Sequence, residues 1–487
     1  MPMWGAMETN ESIEECAGSL DECRDRVDRL SRDLVALRQR EKKLYRRLYF
    51  DEKTGLPNHA FFARNIERLV HRLRDTNSKF AIAFINLDES YDMLEKANKS
   101  VLSEWVLYRT AISIQDIVRG AGSVYQTKSD EFGLLVDDAS NSGKLQDLLD
   151  LILESVASLH RFPGQTISIG CSIGCAIHPE HGLTSGDLLR NADIALAFSR
   201  KLGRNGLVYD PSMSREISEG VALKEGMLSA LEEQAQVELE AQFQLAYQPL
   251  VRVTDIIEGD IRAETIGSEC LLRWRHPERG SIEPKRFIPV AEENGLIIPI
   301  GNWVFYRAAE KIRRWRSLGH ESLFLSVNLS PAQFSDVKLI DNISRLLDHQ
   351  ELPPDALHVE VTETAVMEDP EEALKKIDML HEMGIRLSID DFGTGYSSLG
   401  YLRDLRVHTL KIDKSFIDDL ADNEYDRGIV RAIVSMAHSL NVEVLAEGVE
   451  HEKQVSVLYD MGCRVFQGFY FSNPLSDMKF EAYLKTG

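Results

Sequence analysis

The stretch Arg386-Leu387-Ser388-Ile389-Asp390-Asp391-Phe392-Gly393-Thr394-Gly395 decides how the second half of the chain is read. Arg386–Asp390 is a short strand-like run that stops on two adjacent carboxylates, and a flexible, glycine-punctuated segment follows. Seven other segments read as strands: Phe243–Gln248, Glu269–Trp274, Leu323–Asn328, His358–Thr362, Thr409–Asp413, Glu443–Ala446 and Arg464–Gln467. Helical stretches such as Pro284–Asn294, Val304–Leu318, Pro370–Met383 and Asp426–Leu440 lie between many of them. Eight strands alternating with helices predict an α/β domain of the (β/α)8, TIM-like barrel class over residues 243–487.

Active sites of such barrels form at the C-terminal ends of the strands. The second strand begins with Glu269 and carries Arg273; the third ends at Asn328 and the fourth at Glu360 and Glu363. The fifth ends at Asp390 and Asp391, the sixth carries Lys411 and Asp413, the seventh ends at Glu447 and the eighth at Gln467. One aspartate at a strand end ordinarily caps the next helix. Five acidic groups on one mouth repel each other too strongly to be buried without cations. An all-oxygen donor set selects Mg²⁺ or Mn²⁺ over zinc. Adjacent Asp390 and Asp391 suit two ions a few ångströms apart, the arrangement that hydrolyses phosphodiesters.

On these residues the half from Phe243 to Gly487 resembles the EAL family of cyclic di-GMP phosphodiesterases. The matching stretches are Gln248-Pro249, Glu269-Cys270-Leu271-Leu272-Arg273-Trp274, Val327-Asn328-Leu329-Ser330, Glu360-Val361-Thr362-Glu363, Asp390 to Gly395, Lys411-Ile412-Asp413, Ala446-Glu447-Gly448-Val449-Glu450 and Gln467-Gly468. Cys270 replaces the signature alanine, and Val251–Ser268 is longer than usual, consistent with an enlarged hairpin. The resemblance implies two ions, Mg²⁺ or Mn²⁺, one held by Glu269, Asn328, Glu360 and Asp390 and the other by Asp390, Asp391 and Glu447. It implies that Lys411 orients the attacking water and offsets developing charge, with Glu447 and Glu363 as the other catalytic-site residues. Glu363 would pin the loop Asp391–Ser398 rather than bind metal. Arg273 would contact a phosphate, and Gln248, Gln467 and Asp413 complete the substrate contacts. The implied reaction is hydrolysis of cyclic di-GMP to linear pGpG. The alternative on the same barrel is a receptor that binds cyclic di-GMP without cleaving it; such receptors typically lose metal ligands or the Asp-Asp-Phe-Gly loop, and both are complete here.

The rest of the chain organises around this half. Ile13, Cys16, Leu20, Cys23, Val27, Leu30, Leu34, Leu37, Glu41, Leu44 and Leu48 alternate spacings of three and four, the seam of a coiled coil over residues 10–48, with Glu41 its one ionic interruption. This predicts a parallel homodimer, to which the barrel could add its own contact; the alternative reading of the same pattern is a single amphipathic helix packed on the next domain. Residues 49–210 alternate strand and helix (strand-like Phe80–Asn86, Gly122–Gln126, Phe132–Val136 and Thr166–Ile177), and the proline-free acidic stretch 217–242 makes residues 211–242 a helical linker. Thr54-Gly55-Leu56-Pro57-Asn58, Ser172-Ile173-Gly174, Ala192-Asp193 and Gly203-Arg204-Asn205 give residues 49–210 a resemblance to the GGDEF (diguanylate cyclase) family. Its signature is degenerate: Lys128-Ser129-Asp130-Glu131-Phe132 stands where two glycines precede the acidic pair. Asn86 falls on the first metal aspartate, Leu94 and Ser103 on the guanine-reading pair, and Arg119-Gly120-Ala121-Gly122 lacks the inhibitory-site aspartate. A regulatory domain that does not synthesise cyclic di-GMP is expected, with weak GTP binding allowed.

Composition fits these expectations. A hydrophobic fraction of 43% and a charged fraction of 28% are those of a folded chain. The net charge of −22 argues against DNA binding, which needs a basic face. No apolar run approaches the roughly 20 residues of a membrane span, and residues 1–10 do not read as a signal peptide. The six cysteines form no CxxC pair, so reduced thiols and a cytoplasmic location are expected.

Overall fold

The computed structural model describes residues 29, 31–74, 76, 78–96, 100–157, 160–162, 165–167, 169–203, 206–231, 241–257, 260–393 and 405–485. The chain divides into two compact units, residues 1–218 and 219–487. Among the described residues no helix is long and apolar enough to cross a membrane. Residues 31–49 are helical, and Leu34, Leu37, Leu44 and Leu48 of the heptad series all stand exposed there. The earlier heptad positions, Ile13 to Val27 and Leu30, lie outside the described residues.

In the first unit, strands β1 (Phe80–Leu87), β2 (Gly122–Lys128), β3 (Glu131–Val136), β6 (Cys171–His178) and β7 (Gly206–Val208) form a sheet in the order β2-β3-β1-β6-β7. A separate ribbon pairs β4 (His160–Phe162) with β5 (Gln165–Ile167), so the single strand expected over Thr166–Ile177 is two elements. Every residue of β1 is buried, because helices cover both faces. Ala81, Ala83 and Ile85 meet helices Ser100–Val118 and Ser142–Ala157. Phe80, Ile82 and Phe84 meet helices His59–Leu73 and Ser185–Lys201. This is the two-residue period of a strand sorting its side chains into two layers. Gly174 is needed for the second layer: a Cβ there would lie 2.0 Å from the backbone nitrogen of Leu196.

The second unit is a closed barrel. Its strands are β8 (Phe243–Ile257), β9 (Asp260–His276), β11 (Phe324–Leu329), β12 (Leu357–Thr362), β13 (Arg386–Phe392), β14 (Thr409–Ile412), β15 (Glu443–Ala446) and β16 (Val465–Phe466). Short β10 (Gly280–Ile282) extends the end of β9, and β8 closes the ring by pairing with both β9 and β16. The eight expected strands are all present, with one correction to the (β/α)8 expectation. The first strand, β8, runs antiparallel to both neighbours, while β9 and β11 to β16 are parallel to one another. A strand–hairpin–strand entry replaces the first crossover helix. A second correction concerns Glu269, which lies well inside β9 rather than at its start, because the enlarged hairpin prolongs β8 and β9 beyond the rest of the sheet.

Between strands and outer helices lies the main core. Helix Ile297–Ser317 buries Val304, Phe305, Ala308, Ala309, Ile312 and Trp315 along one stripe against Leu325, Val327 and their neighbours. Of the expected linker, Pro211–Leu231 is helical, and Leu223, Met227 and Ala230 pack with Phe243, Trp274 and Phe287 of the barrel. Residues 232–240 lie outside the described residues.

Candidate active site

The ends of the parallel strands bring the sequence-predicted residues to one mouth. Lys411 is 1% exposed and is among the largest fully buried side chains. Its Nζ lies 2.6 Å from Glu360 Oε2, 2.6 Å from Glu447 Oε1 and 3.1 Å from Asp390 Oδ1. A buried ammonium is tolerated only when paired, and four carboxylates hold this one charged: Asp390, Glu269, Glu360 and Glu447 together outweigh the burial that would lower its pKa. The carboxylates move the other way. Burial pushes Glu360 up to about 8, against the pull of Lys411 and with repulsion from Glu269 and Asp390 added. Glu447 is raised first by burial and then by Asp390 and Glu269. Asp391 is raised by burial, Asp390 and Asp413.

Asp390 and Asp391 share the mouth because the sheet is irregular there. In a regular strand consecutive side chains point to opposite faces. The register of β13 on β14 shifts between Ile389 and Phe392, and Asp391 takes the left-handed conformation at φ 52°. A bulge of this kind opposes two residues to one and re-aims a side chain, and aspartate is among the non-glycine residues that best accept positive φ. The result is that Asp390, Asp391 and Glu447 each place an oxygen within 4.8 Å of the others.

Glu269 stands beside this group with different partners. Asn328 Nδ2 donates to its Oε1 at 2.5 Å and Gln467 Nε2 to its Oε2 at 2.5 Å. Gln467 also donates to Gln248 Oε1 at 3.1 Å, and Gln248 donates to the Ser472 carbonyl at 3.3 Å. Gln248 reaches the mouth because antiparallel pairing sets it opposite Glu269. Glu363, buried, accepts from the Gly393 backbone at 3.0 Å and so anchors the first residues after the bulge; Thr394 and Gly395 lie outside the described residues. Asp413 caps the turn Lys414–Phe416 by accepting from Ser415 N at 3.0 Å. Arg273 is half-buried, its Nη1 donating to the Leu272 carbonyl at 2.9 Å.

Two contributions escape a reading of strand ends. Ser326, two residues below Asn328 on β11, donates its hydroxyl to Glu360 Oε1 at 2.5 Å and is 1% exposed. Gly468 lets the loops after β15 and β16 meet: a Cβ there would lie 2.0 Å from the Val449 carbonyl oxygen. The signal for Ser326 was its position, two before a mouth residue on an inward-facing row.

The first unit has its own acidic pair at the tip of the β2–β3 hairpin. Asn86 Nδ2 donates to Asp130 Oδ2 at 2.7 Å. Glu131, buried, accepts from Lys128 Nζ at 2.8 Å and from Thr127 Oγ1 at 2.9 Å. Leu94 packs against the core of that face and Ser103 is buried.

Residues 232–474 match the EAL domain, and residues 48–206 match the diguanylate cyclase GGDEF domain. The chain belongs to the family of proteins that carry these two domains in tandem. It is 34% identical over 442 residues to the bifunctional diguanylate cyclase/cyclic di-GMP phosphodiesterase MucR of Pseudomonas aeruginosa, covering 91% of this chain and 62% of that protein. It is 30% identical over 454 residues to the cyclic di-GMP phosphodiesterase PdeR of Escherichia coli, covering 93% of this chain and 66% of that one. Among solved structures it is similar to the EAL enzyme Bd1971 in its cAMP- and cyclic-di-GMP-bound form, at 26% identity and a TM-score of 0.50, over 66% of this chain and 82% of that chain. The chain thus spans less than two thirds of the length of these curated relatives.

Proposed function

We propose that the barrel hydrolyses cyclic di-GMP to linear pGpG, and that the first unit is a regulatory domain that does not make the dinucleotide. The observation carrying this is a complete donor set at one barrel mouth. Glu269, Asn328, Glu360, Asp390, Asp391 and Glu447 supply only oxygen, and five of the six are carboxylates. That chemistry fits hard divalent cations, Mg²⁺ or Mn²⁺. Glu269, Asn328, Glu360 and Asp390 would hold one and Asp390, Asp391 and Glu447 the other. When bound, such ions lower the pKa of water and neutralise phosphodiester charge.

The chain's own groups do the rest. Lys411, fixed by three carboxylates, faces a phosphodiester with a permanent positive charge, and holds the water that attacks phosphorus as the bond to the ribose 3′ oxygen breaks. Arg273, whose burial already weakens its hydration, would take a non-bridging phosphate oxygen. Gln248 and Gln467, already bonded to each other, would orient the ligand beside Glu269. Asp413, in contact with Asp391, and Glu363, through Gly393, would keep the bulge in shape. MucR and PdeR, named for phosphodiesterase activity, support the same reaction class. The exposed leucine row of helix 31–49 favours pairing of two copies as a coiled coil.

The experiment is incubation of the purified protein with cyclic di-GMP and Mg²⁺ or Mn²⁺, with products separated by chromatography. Linear pGpG is expected, lost on chelation and lost in Glu269→Ala and Asp390→Ala, each by on the order of 10³-fold. Tight binding of cyclic di-GMP without turnover would instead identify a receptor.

A further inference from the structure

We infer that Ser326 is a positioning residue that makes Glu360 a one-oxygen ligand and thereby sets the barrel's preference for small divalent ions over calcium. The inference rests on the metal-site reading above. Glu360 is the most enclosed carboxylate of the mouth, 2% exposed, and both its oxygens are engaged. Oε2 faces Lys411 at 2.6 Å, on the side shared with Asp390 and Glu447. Oε1 accepts the Ser326 hydroxyl at 2.5 Å. The two strands are in parallel register with Ser326 beside His358 and Asn328 beside Glu360, so the hydroxyl approaches from two residue pairs below the mouth.

Space would otherwise let this carboxylate turn. Below Glu360, away from the mouth, is a polar cavity of about 200 Å³ lined by Ser326, Ser388, His358, Arg386 and Thr409. Such barrels ordinarily fill this layer with branched apolar side chains; here Leu250, Ile266, Leu445 and Val465 supply part of that filling, while the small hydroxyl residues Ser326, Ser388 and Thr409 leave room beside the carboxylate. The hydroxyl bond takes over that task. It keeps Oε1 turned down and Oε2 turned toward the mouth.

The consequence is chemical. Mg²⁺ demands near-octahedral geometry at short distances and keeps several waters, which suits carboxylates that lend one oxygen each. Ca²⁺ takes six to eight ligands at longer distances and readily accepts both oxygens of one carboxylate. Mn²⁺ behaves as the smaller ion here and can be observed directly. Without the hydroxyl, Glu360 is free to rotate and offer both oxygens, which favours the larger ion. Partners that orient a metal ligand typically change affinity by about 10- to 100-fold when removed.

The test measures binding without turnover. Full-length protein, stripped of metal, is titrated with Mn²⁺ by electron paramagnetic resonance, and Ca²⁺ is then added as competitor; the Asp390→Ala variant supplies the baseline for ions bound elsewhere. Ser326→Ala should lower the Mn²⁺-over-Ca²⁺ preference by about tenfold. Ser326→Thr, which keeps the hydroxyl, should retain the wild-type preference, and Ser326→Val, its near-isostere without the hydroxyl, should behave as Ser326→Ala. The Thr and Val pair decides the matter if the alanine variant misfolds. Equal preference in the Thr and Val variants overturns the role of Ser326. Absence of Asp390-dependent Mn²⁺ binding in the wild type would overturn instead the metal-site reading beneath it.

Discussion

Replacing Lys411 by methionine isolates the charge balance of the barrel mouth. Methionine is of similar length and apolar, so the substitution removes the ammonium while filling most of its volume. The wild-type ammonium has three carboxylate partners within 3.1 Å and is itself 1% exposed. Removing one partner of a buried ionic pair costs about 3–5 kcal/mol. For a domain of this size each kcal/mol moves the melting temperature by about 2–4 °C, so a fall of roughly 6–20 °C is expected in the metal-free protein.

The fall should depend on pH, and its sign can be worked out. Glu360 has its folded-state pKa raised, to about 8, from an ordinary value of 4.5. A carboxyl of this kind binds more protons folded than unfolded, so its contribution to stability is present at low pH and is lost as pH rises from about 4.5 through about 8. Without Lys411 the folded pKa values of Glu360 and Glu447 rise further, because an ammonium that lowers both is gone. At pH 6 both carboxyls can therefore be neutral, and the variant loses little. At pH 9 at least one must stay charged or deprotonate on unfolding, and the full loss appears. Differential scanning calorimetry in chelator gives the measurement, with the barrel transition identified as the one that saturating Mg²⁺ shifts. A variant that melts with wild type at pH 9, or that loses equal stability at pH 6 and pH 9, would refute the claim that Lys411 balances these carboxylates.

Three further outcomes are expected. Wild-type protein in chelator should lose barrel stability between about pH 4.5 and 8 for the reason just given, and Mg²⁺ should flatten that dependence in the same calorimetric scan. In an Asp390→Ala background, GTP and Mg²⁺ should yield no cyclic di-GMP by chromatography, since Asn86 and Lys128 already occupy Asp130 and Glu131; product above a no-enzyme control would make the chain bifunctional. Deleting residues 1–47 should shift the protein toward monomer in light scattering at low concentration, because it removes Leu34, Leu37 and Leu44, three of the four exposed leucines of the helix; an equally dimeric truncation would exclude the coiled coil as the dimerising element.

Much of the barrel was legible because its strands end in acidic and amide side chains: Asn328, Glu360, Asp390, Glu447 and Gln467 mark the mouth whatever the details of the sheet. Strand direction was not legible. The two-residue period of Phe243–Ile257 is the same read forwards or backwards, and only pairing with β9 and β16 fixes β8 as antiparallel. The bulge was equally hidden. Adjacency of Asp390 and Asp391 in sequence argues for opposite faces in a regular strand, and the left-handed Asp391 that overrides this is a property of the fold. Ser326 was missed because its one signal, lying two residues before Asn328 on the same face of the strand, does not say which side chain its hydroxyl meets. In the first unit the sequence singles out Asn86 and Lys128, but that they pair with Asp130 and Glu131 could be seen only in three dimensions.

The two acidic clusters of this chain answer the same electrostatic problem differently. At the barrel mouth, Glu269, Glu360, Asp390, Asp391 and Glu447 face one ammonium, Lys411, which leaves four negative charges when all five are ionised, the number that two divalent cations neutralise. In a partly buried site that imbalance is a standing demand for metal. At the hairpin of the first unit, Asp130 and Glu131 face Lys128, with the neutral Asn86 amide as a second donor, so a single negative charge remains, and both carboxylates already accept hydrogen bonds from side chains. A cation entering there must displace bonds that are already made, and it finds too little charge to repay doing so. The same comparison explains why one unit is proposed to carry the chemistry and the other a regulatory frame. What separates them is the charge left over once neighbouring side chains have made their contacts, since acidic residues are present in both.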